Sequence, residues 1–273
     1  MSYTITDRQQ AVLDELKAFH FDKCPSIDWE KETSEPFSKN TAGPNEKIWI
    51  DGERNFNTKF LSKIPGVNKL VHAYYRYKQN RGKKADKLIY QKWEENYPFA
   101  KSMIEGELDS WRTAVRRFAS FPEKCGLAKA YSLHMYDENI AECDVYLHAF
   151  EDIIPAKIEK VTKRGKIRYH DMPKTNRFDL YEKHVYSCLN KVVNDLFAVL
   201  PCEIIFMNGV IDSYNSPHPI LSTVVNRNYH KQKRCPKRTM EQHQRHFVIF
   251  KKRSGFYPLK RVYSPQGLFK EEG

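Results

Sequence analysis

One long amphipathic stretch, residues 178–199, constrains the fold of this chain more than any other segment. Apolar side chains recur there at spacings of three and four residues, which is the period of an α-helix with one buried face. These side chains are Val185, Leu189, Val192, Leu196 and Val199, with Val193, Phe197 and Leu200 widening the stripe. Pro201 follows and cannot continue a helix. We therefore predict a helix whose apolar stripe is buried and whose Lys191, on the opposite face, is solvated.

Two strands are predicted directly after this helix. Residues 202–207 form a short apolar run with β-branched and aromatic side chains, as expected of a strand covered on both faces. Residues 212–217 have the composition of a turn, and residues 220–228 resemble a second strand. A long helix next to paired strands favours an α+β layer. The predicted fold class is α+β, with one long helix packed against a largely antiparallel sheet that contains Ile204 and Phe206.

The first part of the chain is predicted to be mainly helical. Thr6 and Gln9 have the spacing of a capping box, so a first helix is expected over residues 7–20. Residues 22–46 contain several proline residues and are predicted to form a long loop. Residues 47–52 are predicted to form a short strand that ends in a turn.

Further helices are expected over residues 66–120, where apolar side chains again recur at helical spacing. Gly82 and Pro98 are natural breaks between them. After residue 130 the apolar period changes to two, which predicts hairpins over 131–147 and 158–169. The simplest division is therefore a helical region, 1–121, and an α+β domain with a basic loop, 122–273.

Composition excludes several classes of protein. No apolar run approaches the roughly 18–20 residues that span a bilayer, and residues 1–7 lack the features of a signal peptide. The six cysteines are scattered without a CxxC pair, which favours a reduced, cytoplasmic location. No glycine-rich phosphate loop, GxSxG motif or dinucleotide fingerprint is present, so ATPase, α/β-hydrolase and dehydrogenase functions are disfavoured.

The net charge of +12 is unevenly distributed, with most of the excess in residues 51–100 and 201–273. Such asymmetry favours a polyanionic partner, although a solvated basic surface would give the same composition. The densest cluster lies within residues 231–253. Each phosphate that it neutralises would release a counterion, so binding would depend on salt. The candidate nucleic-acid-binding residues of this cluster are Lys231, Lys233, Arg234, Lys237, Arg238, Arg245, Lys251, Lys252 and Arg253, and Lys260 and Arg261 add charge beyond it.

A second basic block, within residues 74–84, alternates cations with tyrosines, a composition suited to stacking on unpaired bases. Its candidate binding residues are Arg76, Lys78, Arg81, Lys83 and Lys84. Tyr74 is expected to belong to a buried helical stripe, whereas the roles of Tyr75 and Tyr77 stay open.

Three runs near the C-terminus resemble the C-terminal module of a group of uncharacterised bacterial proteins, over about residues 140–262. The runs are LYEKHVYSCLNKVVNDLFAVLP, ILSTVV and HFVIFKKRSGFYPLKRV. The resemblance implies an origin in bacteria or in a mobile element and transfers no site. This chain departs from that group between residue 228 and His246, where it is far more basic.

Two metal-dependent functions, a zinc site and a nuclease, are alternatives to nucleic-acid binding without a metal. His230, Cys235, His243 and His246 are ligand types for zinc, and a short helix would place His243 and His246 on one face. Cys235, however, lacks the closely spaced partner of a structural zinc site, so we predict no cofactor.

A metal-dependent nuclease would need clustered carboxylates. The best candidates are Glu182, Glu203, Asp212 and His218, and their spacing matches no nuclease signature. The sequence predicts a cytoplasmic nucleic-acid-binding protein of a bacterial defence or mobile-element setting. The alternatives are such a nuclease or an interaction module for an acidic protein partner.

Overall fold

The computed structural model describes residues 4–22, 24–57, 65–213, 216–243 and 245–259. Its helices are α1 (Asp7–Ala18), α2 (Trp29–Thr33), α3 (Pro44–Asn57), α4 (Pro65–Ile104), α5 (Leu108–Phe118), α6 (Phe150–Ile153), α7 (Lys174–Val199) and α8 (Pro236–Met240). Its strands are β1 (Thr4–Ile5), β2 (Ala130–Met135), β3 (Ile140–Leu147), β4 (Lys157–Val161), β5 (Ile167–Asp171), β6 (Ile204–Ser213), β7 (Ser216–Asn226), β8 (His246–Val248), β9 (Phe250–Lys251) and β10 (Gly255–Phe256).

The chain forms two compact units. The helical unit is Asp28–Glu105, and the sheet unit combines Met1–Ile27 with Gly106–Gly273. Contacts thus group residues 1–27 and 106–121 with the sheet, whereas the sequence interpretation grouped them with the N-terminal helices.

The N-terminus of α3 is capped from another helix of the helical unit. The Asp86 carboxylate on α4 accepts from the backbone N–H groups of Asn45 and Glu46, at 3.1 and 2.8 Å. These N–H groups have no partner within their own helix, and a carboxylate also suits the positive end of the helix dipole. Because this cap starts a helix at Pro44, the predicted strand over residues 47–52 is wrong.

The fourth helix continues through both predicted breaks. Gly82 serves close packing, because a Cβ atom there would lie 2.6 Å from the backbone oxygen of Asn45. Pro98 removes one helical hydrogen bond, but aromatic contacts stabilise the helix on either side of it. Trp93 and Tyr97 pack with ring centroids 5.1 Å apart, and Phe99 contacts Trp29 of α2 at 5.7 Å. Helix α2 itself interrupts the predicted loop over residues 22–46.

The sheet unit confirms the α+β prediction. Five strands lie in the order β2-β3-β6-β7-β8, with β3 parallel to β6 and the other pairs antiparallel. The long helix α7 packs on one face, where Leu189, Val192 and Leu196 are fully buried. Gly209 of β6 allows this close approach, since a Cβ atom there would lie 3.2 Å from Cδ1 of Leu189. The predicted stripe therefore packs as expected.

Polar side chains tie three strands together on the opposite face of this sheet. The amide of Asn208 donates to Glu142 Oε1 at 3.1 Å and to Asp144 Oδ1 at 2.9 Å. Its oxygen accepts from the Ser222 hydroxyl at 2.7 Å. All four residues are buried. A satisfied buried network of this kind favours one register of the strands over its neighbours.

The long helix is buried on nearly all of its faces, and the prediction that Lys191 is solvated is wrong. Its side chain is fully buried, and Nζ donates to both carboxylate oxygens of Asp195, at 2.9 and 2.7 Å. It also donates to the Ser120 hydroxyl at 3.2 Å. The lysine is buried because Asp195, one turn away, balances its charge and Ser120, distant in sequence, accepts from it.

Several smaller predictions are confirmed. Thr6 Oγ1 accepts from the backbone N–H of Gln9, as an N-cap of α1 should. Both hairpins form, β2 with β3 and β4 with β5. Strand β6 reaches Ser213 and β7 begins at Ser216, so part of the turn predicted over residues 212–217 belongs to strands, and residues 214–215 lie outside the described residues. Within the described ranges, no helix is long and apolar enough to cross a membrane.

Candidate nucleic-acid interface

A chain segment rich in lysine and arginine, residues 230–238 (the basic segment), is fixed against the long helix. It follows β7 through a 3-10 turn, Arg227–Tyr229, and ends in α8. The buried amide of Asn190 on α7 donates to the backbone oxygen of Pro236 at 2.9 Å. Thr239 Oγ1 accepts from the backbone N–H of Lys233 at 2.9 Å. These bonds anchor the backbone of the segment to α7 and α8.

Arg227, which caps the C-terminus of α7, also anchors the start of the basic segment. The guanidinium of Arg227 donates to the backbone oxygens of Phe197, Leu200 and Cys202, at 2.7, 2.6 and 2.8 Å. These carbonyls lie at or just beyond the negative end of the helix, which a cation stabilises. Arg227 therefore fixes the point from which the basic segment begins, a role that the sequence analysis did not assign to it.

Four cations of the basic segment project into solvent. Their side chains are Lys231, Lys233, Arg234 and Arg238, each of which is exposed. Among the described residues they form no ion pair. Unpaired cations held on a fixed backbone are the arrangement that neutralises successive phosphates of a nucleic acid.

Lys237 differs from its neighbours because an acidic group of the same unit neutralises it. Its Nζ lies 2.8 Å from Glu182 of α7 and 3.8 Å from Glu241. Partial burial lowers the pKa of Lys237, but these carboxylates outweigh burial and raise that pKa overall. The ion pair with Glu182 therefore links α8 to α7 and partly neutralises Lys237, whose role as a phosphate-binding residue stays a prediction.

The cations near the C-terminus lie on a small hairpin. Strands β9 and β10 pair antiparallel, and Lys251, Lys252 and Arg253 are exposed at and near their turn. Gly255, with φ of 79°, lies against Phe178 of α7, where a Cβ atom would be 2.8 Å from the ring. Lys260 and Arg261 lie outside the described residues.

The hairpin and α8 contact the same side of α7. Phe178 contacts the hairpin and Glu182 binds Lys237. These two helix positions are four residues apart, so they lie one above the other on one face, about one turn or 5–6 Å apart. The two basic groups of the sheet unit are therefore neighbours. Arg245 is also exposed, and its backbone oxygen accepts from Val224 of β7 at 2.9 Å.

The second basic block lies along α4 in the helical unit. Arg76, Arg81, Lys83 and Lys84 are exposed there. Lys78 lies over the rings of Trp49 and Tyr74, at 5.1 and 5.4 Å from their centroids, and so packs on apolar surface.

The tyrosines of this block separate into two environments. Tyr74 and Tyr77 are 51% and 58% exposed, so the prediction that Tyr74 is buried is wrong. Tyr75 instead packs on Phe56 of α3, with ring centroids 6.2 Å apart. The block thus offers exposed cations and two half-exposed tyrosines, as stacking on unpaired bases would require.

The four zinc-type ligands do not converge. His230 and His243 are adjacent, with ring nitrogens 3.3 Å apart, and burial lowers the pKa of His243. His246, however, lies on β8 with its Nε2 3.1 Å from the hydroxyl of Tyr186, and Cys235 is exposed before α8. The predicted short helix with His243 and His246 on one face is therefore wrong. In the described part of the chain, no group of three or more His, Cys, Asp or Glu residues could hold a metal ion.

The residues proposed for a nuclease are also separated. Glu203 precedes β6 and Asp212 lies near its far end, which at about 3.3 Å per residue places them about 30 Å apart. His218 pairs with the end that carries Asp212. Glu182 is engaged by Lys237. These four side chains do not form one catalytic group.

Comparisons of the chain with protein-family models, with curated proteins and with solved structures find no match. The resemblance to the group of bacterial proteins therefore stays a prediction. Any assignment of function depends on the geometry of the site.

Proposed function

We propose that this protein binds nucleic acid through the sheet unit, with the basic segment and the β9–β10 hairpin contacting phosphates. The observation that carries the proposal is the exposed array of Lys231, Lys233, Arg234 and Arg238 on an anchored backbone. A fixed array loses less conformational entropy when it binds than flexible lysines would. Neighbouring cations on the hairpin extend the array along α7.

The block on α4 is a second proposed contact, through Arg76, Arg81, Lys83 and Lys84. The proposed location is the bacterial cytoplasm, in a defence or mobile-element setting. The proposed setting rests on the resemblance of the C-terminal sequence, and the proposed cytoplasmic location rests on the scattered cysteines of the chain.

Salt dependence of affinity tests the proposal. Fluorescence anisotropy would measure the affinity for single strands and duplexes of DNA and RNA over a salt series. The triple variant Lys233→Gln, Arg234→Gln, Arg238→Gln removes three cations of the basic segment. For a single strand, three lost phosphate contacts should reduce the slope of log K against log salt by about 2.

A matched control removes the same charge elsewhere in the sheet unit. Lys163, Arg164 and Lys166 lie exposed in or beside the turn of the β4–β5 hairpin, and their replacement by glutamine should leave the slope unchanged. An equal reduction of the salt slope in the two triple variants would show that binding depends only on net charge and not on the basic segment. No binding at low salt would refute the proposal.

The same experiments separate the alternatives. Cleavage of plasmid or RNA in the presence of magnesium or manganese would indicate a nuclease. Capture of a protein from a bacterial extract that persists after nuclease treatment, together with no affinity for nucleic acid, would indicate an acidic protein partner.

A further inference from the structure

A cavity of about 410 Å³ opens beside the basic segment, and its lining combines apolar and polar side chains. Ile204 of β6 and Val224 of β7 form its apolar wall. They lie on the sheet face opposite α7, because the alternate residues Ile205 and Val225 are the fully buried ones. The volume falls in the range of about 300–1,000 Å³ that is typical of small-molecule pockets.

An exposed aromatic ring borders this cavity. Tyr229 ends the 3-10 turn after β7 and is 73% exposed, the highest value among the exposed tyrosines of the described chain. Two residues later comes Lys231, the first cation of the basic segment. An aromatic ring next to exposed cations is the arrangement by which proteins hold single-stranded nucleic acid, with stacking for the base and cations for the phosphates.

Polar groups with defined hydrogen-bonding capacity complete the lining. The oxygen of the Asn226 side chain accepts from the backbone N–H of Asn228 at 2.9 Å, which leaves the two amide hydrogens of Asn226 as donors. The amide nitrogen of Gln242 donates to the backbone oxygen of Lys231 at 3.1 Å, which leaves the Gln242 oxygen as an acceptor. A donor group beside an acceptor group is what the edge of an unpaired base can engage.

The hydrogen bond from Gln242 also fixes the cavity to the phosphate-binding array. Because Gln242 lines the cavity and bonds to Lys231, the cavity lies next to the start of the basic segment. Arg245, also exposed, is itself a lining residue of the cavity. One cation therefore lines the cavity and a second, Lys231, bonds to a lining residue, so phosphates next to a bound base would have cations near them.

We propose that this cavity receives an unpaired nucleobase that stacks on Tyr229, so that the protein prefers single-stranded nucleic acid over duplex. This inference rests on the proposed function and specifies its substrate class. In a duplex the bases are already stacked and paired, so they cannot enter such a cavity without an energetic cost.

The test compares an oligothymidylate of about 16 nucleotides with a strand of equal length that carries abasic residues, and with a duplex. Wild-type protein should bind the oligothymidylate roughly 5- to 150-fold more tightly than the abasic strand, which corresponds to stacking of one base. Tyr229→Ala should remove most of this ratio and leave the salt slope unchanged. Tyr229→Phe should retain it, since phenylalanine stacks as well.

Tyr169→Ala is the matched control, because Tyr169 lies on β5 and is 67% exposed. It should bind both strands as the wild type does. Equal affinity of the wild type for the normal and abasic strands, or an unchanged ratio in Tyr229→Ala, would overturn the base-binding inference while leaving the phosphate-binding function intact. Absence of binding to all three probes would overturn both.

Discussion

The buried ion pair of α7 provides the sharpest test of the fold. Lys191 and Asp195 are one helical turn apart and both fully buried. The Asp195 carboxylate also accepts from the backbone N–H groups of Ser120 and Cys24, at 3.1 and 3.3 Å. Removal of Lys191 leaves the Asp195 carboxylate as an unpaired charge in a buried site. Such a loss typically costs about 3–5 kcal/mol, a large part of the stability of a domain.

We therefore expect Lys191→Met to lower the free energy of unfolding by about 3–5 kcal/mol. Asp195→Asn should cost less, because Lys191 Nζ keeps the carboxylate of Asp22 at 3.6 Å. The double variant should lose less than the sum of the two, with a coupling energy of roughly 0.5–3 kcal/mol. Urea denaturation followed by far-UV circular dichroism would give these values.

Lys183→Met is the control on the same helix. Its partner Asp179 is also four residues away, at 2.6 Å, but both side chains are about half exposed. Exposed pairs of this spacing contribute about 0.3–0.5 kcal/mol. If Lys191→Met and Lys183→Met cost equally little, then Lys191 is not buried and the packing of α7 described above is wrong.

Three further predictions concern the same unit. Leu196→Ala should destabilise the protein by about 2–5 kcal/mol in urea denaturation, and a loss below about 1 kcal/mol would contradict burial of the stripe. Burial lowers the pKa of His184 to about 4. The neutral, buried histidine therefore stabilises the fold fully above the unfolded pKa near 6.5. As the pH falls from there toward 4, the free energy of unfolding should decrease by up to roughly 3 kcal/mol. His184→Gln, which can still donate to Leu127, should flatten stability against pH in that window, and an unchanged profile would refute the assignment. Arg227→Ala should lower the free energy of unfolding by about 2–3 kcal/mol, because its hydrogen bonds to three backbone carbonyls are lost. Arg227→Lys should retain only part of that stability, because lysine lacks the planar guanidinium.

The apolar pattern was sufficient to predict the layers of the sheet unit. The period of the stripe that contains Leu189 and Leu196 requires a helix buried on one side, and the alternation in β2 and β3 requires strands. The second face of α7 was not predictable in this way. Ser187 and Asn190 are polar in sequence, yet they are buried, with partners that lie 167 and 46 residues away. Lys191 is buried beside Asp195 of the same helix, and it also donates to Ser120, 71 residues away.

The helical unit shows the same limit at shorter range. Residues 47–52 have a composition that suits a strand, but they belong to α3. Asp86, 40 residues away from Glu46, caps the start of that helix at Pro44. From the sequence, Gly82 suggests the end of a helix, whereas in the structure it lies within α4 and makes room for the backbone of Asn45. Local propensity is weaker than such tertiary contacts.

The candidate interface was predictable in its charges but not in its shape. The density of cations after residue 230 identified the basic segment. Neutralisation of Lys237 by Glu182 depends on the packing of α8 against α7, which no spacing reveals. Tyr229 was equally hidden, because an exposed tyrosine and a buried one are alike in sequence.

Photo-cross-linking tests the central claim most directly. Full-length protein would be irradiated with an oligothymidylate that carries a photoreactive thymine analogue, and the cross-linked peptides would be identified by mass spectrometry. We predict cross-links within residues 226–245, with Tyr229 among them, and their loss at high salt because the phosphate contacts are screened. Cross-links confined to other parts of the chain, or none at low salt, would contradict nucleic-acid binding through this surface.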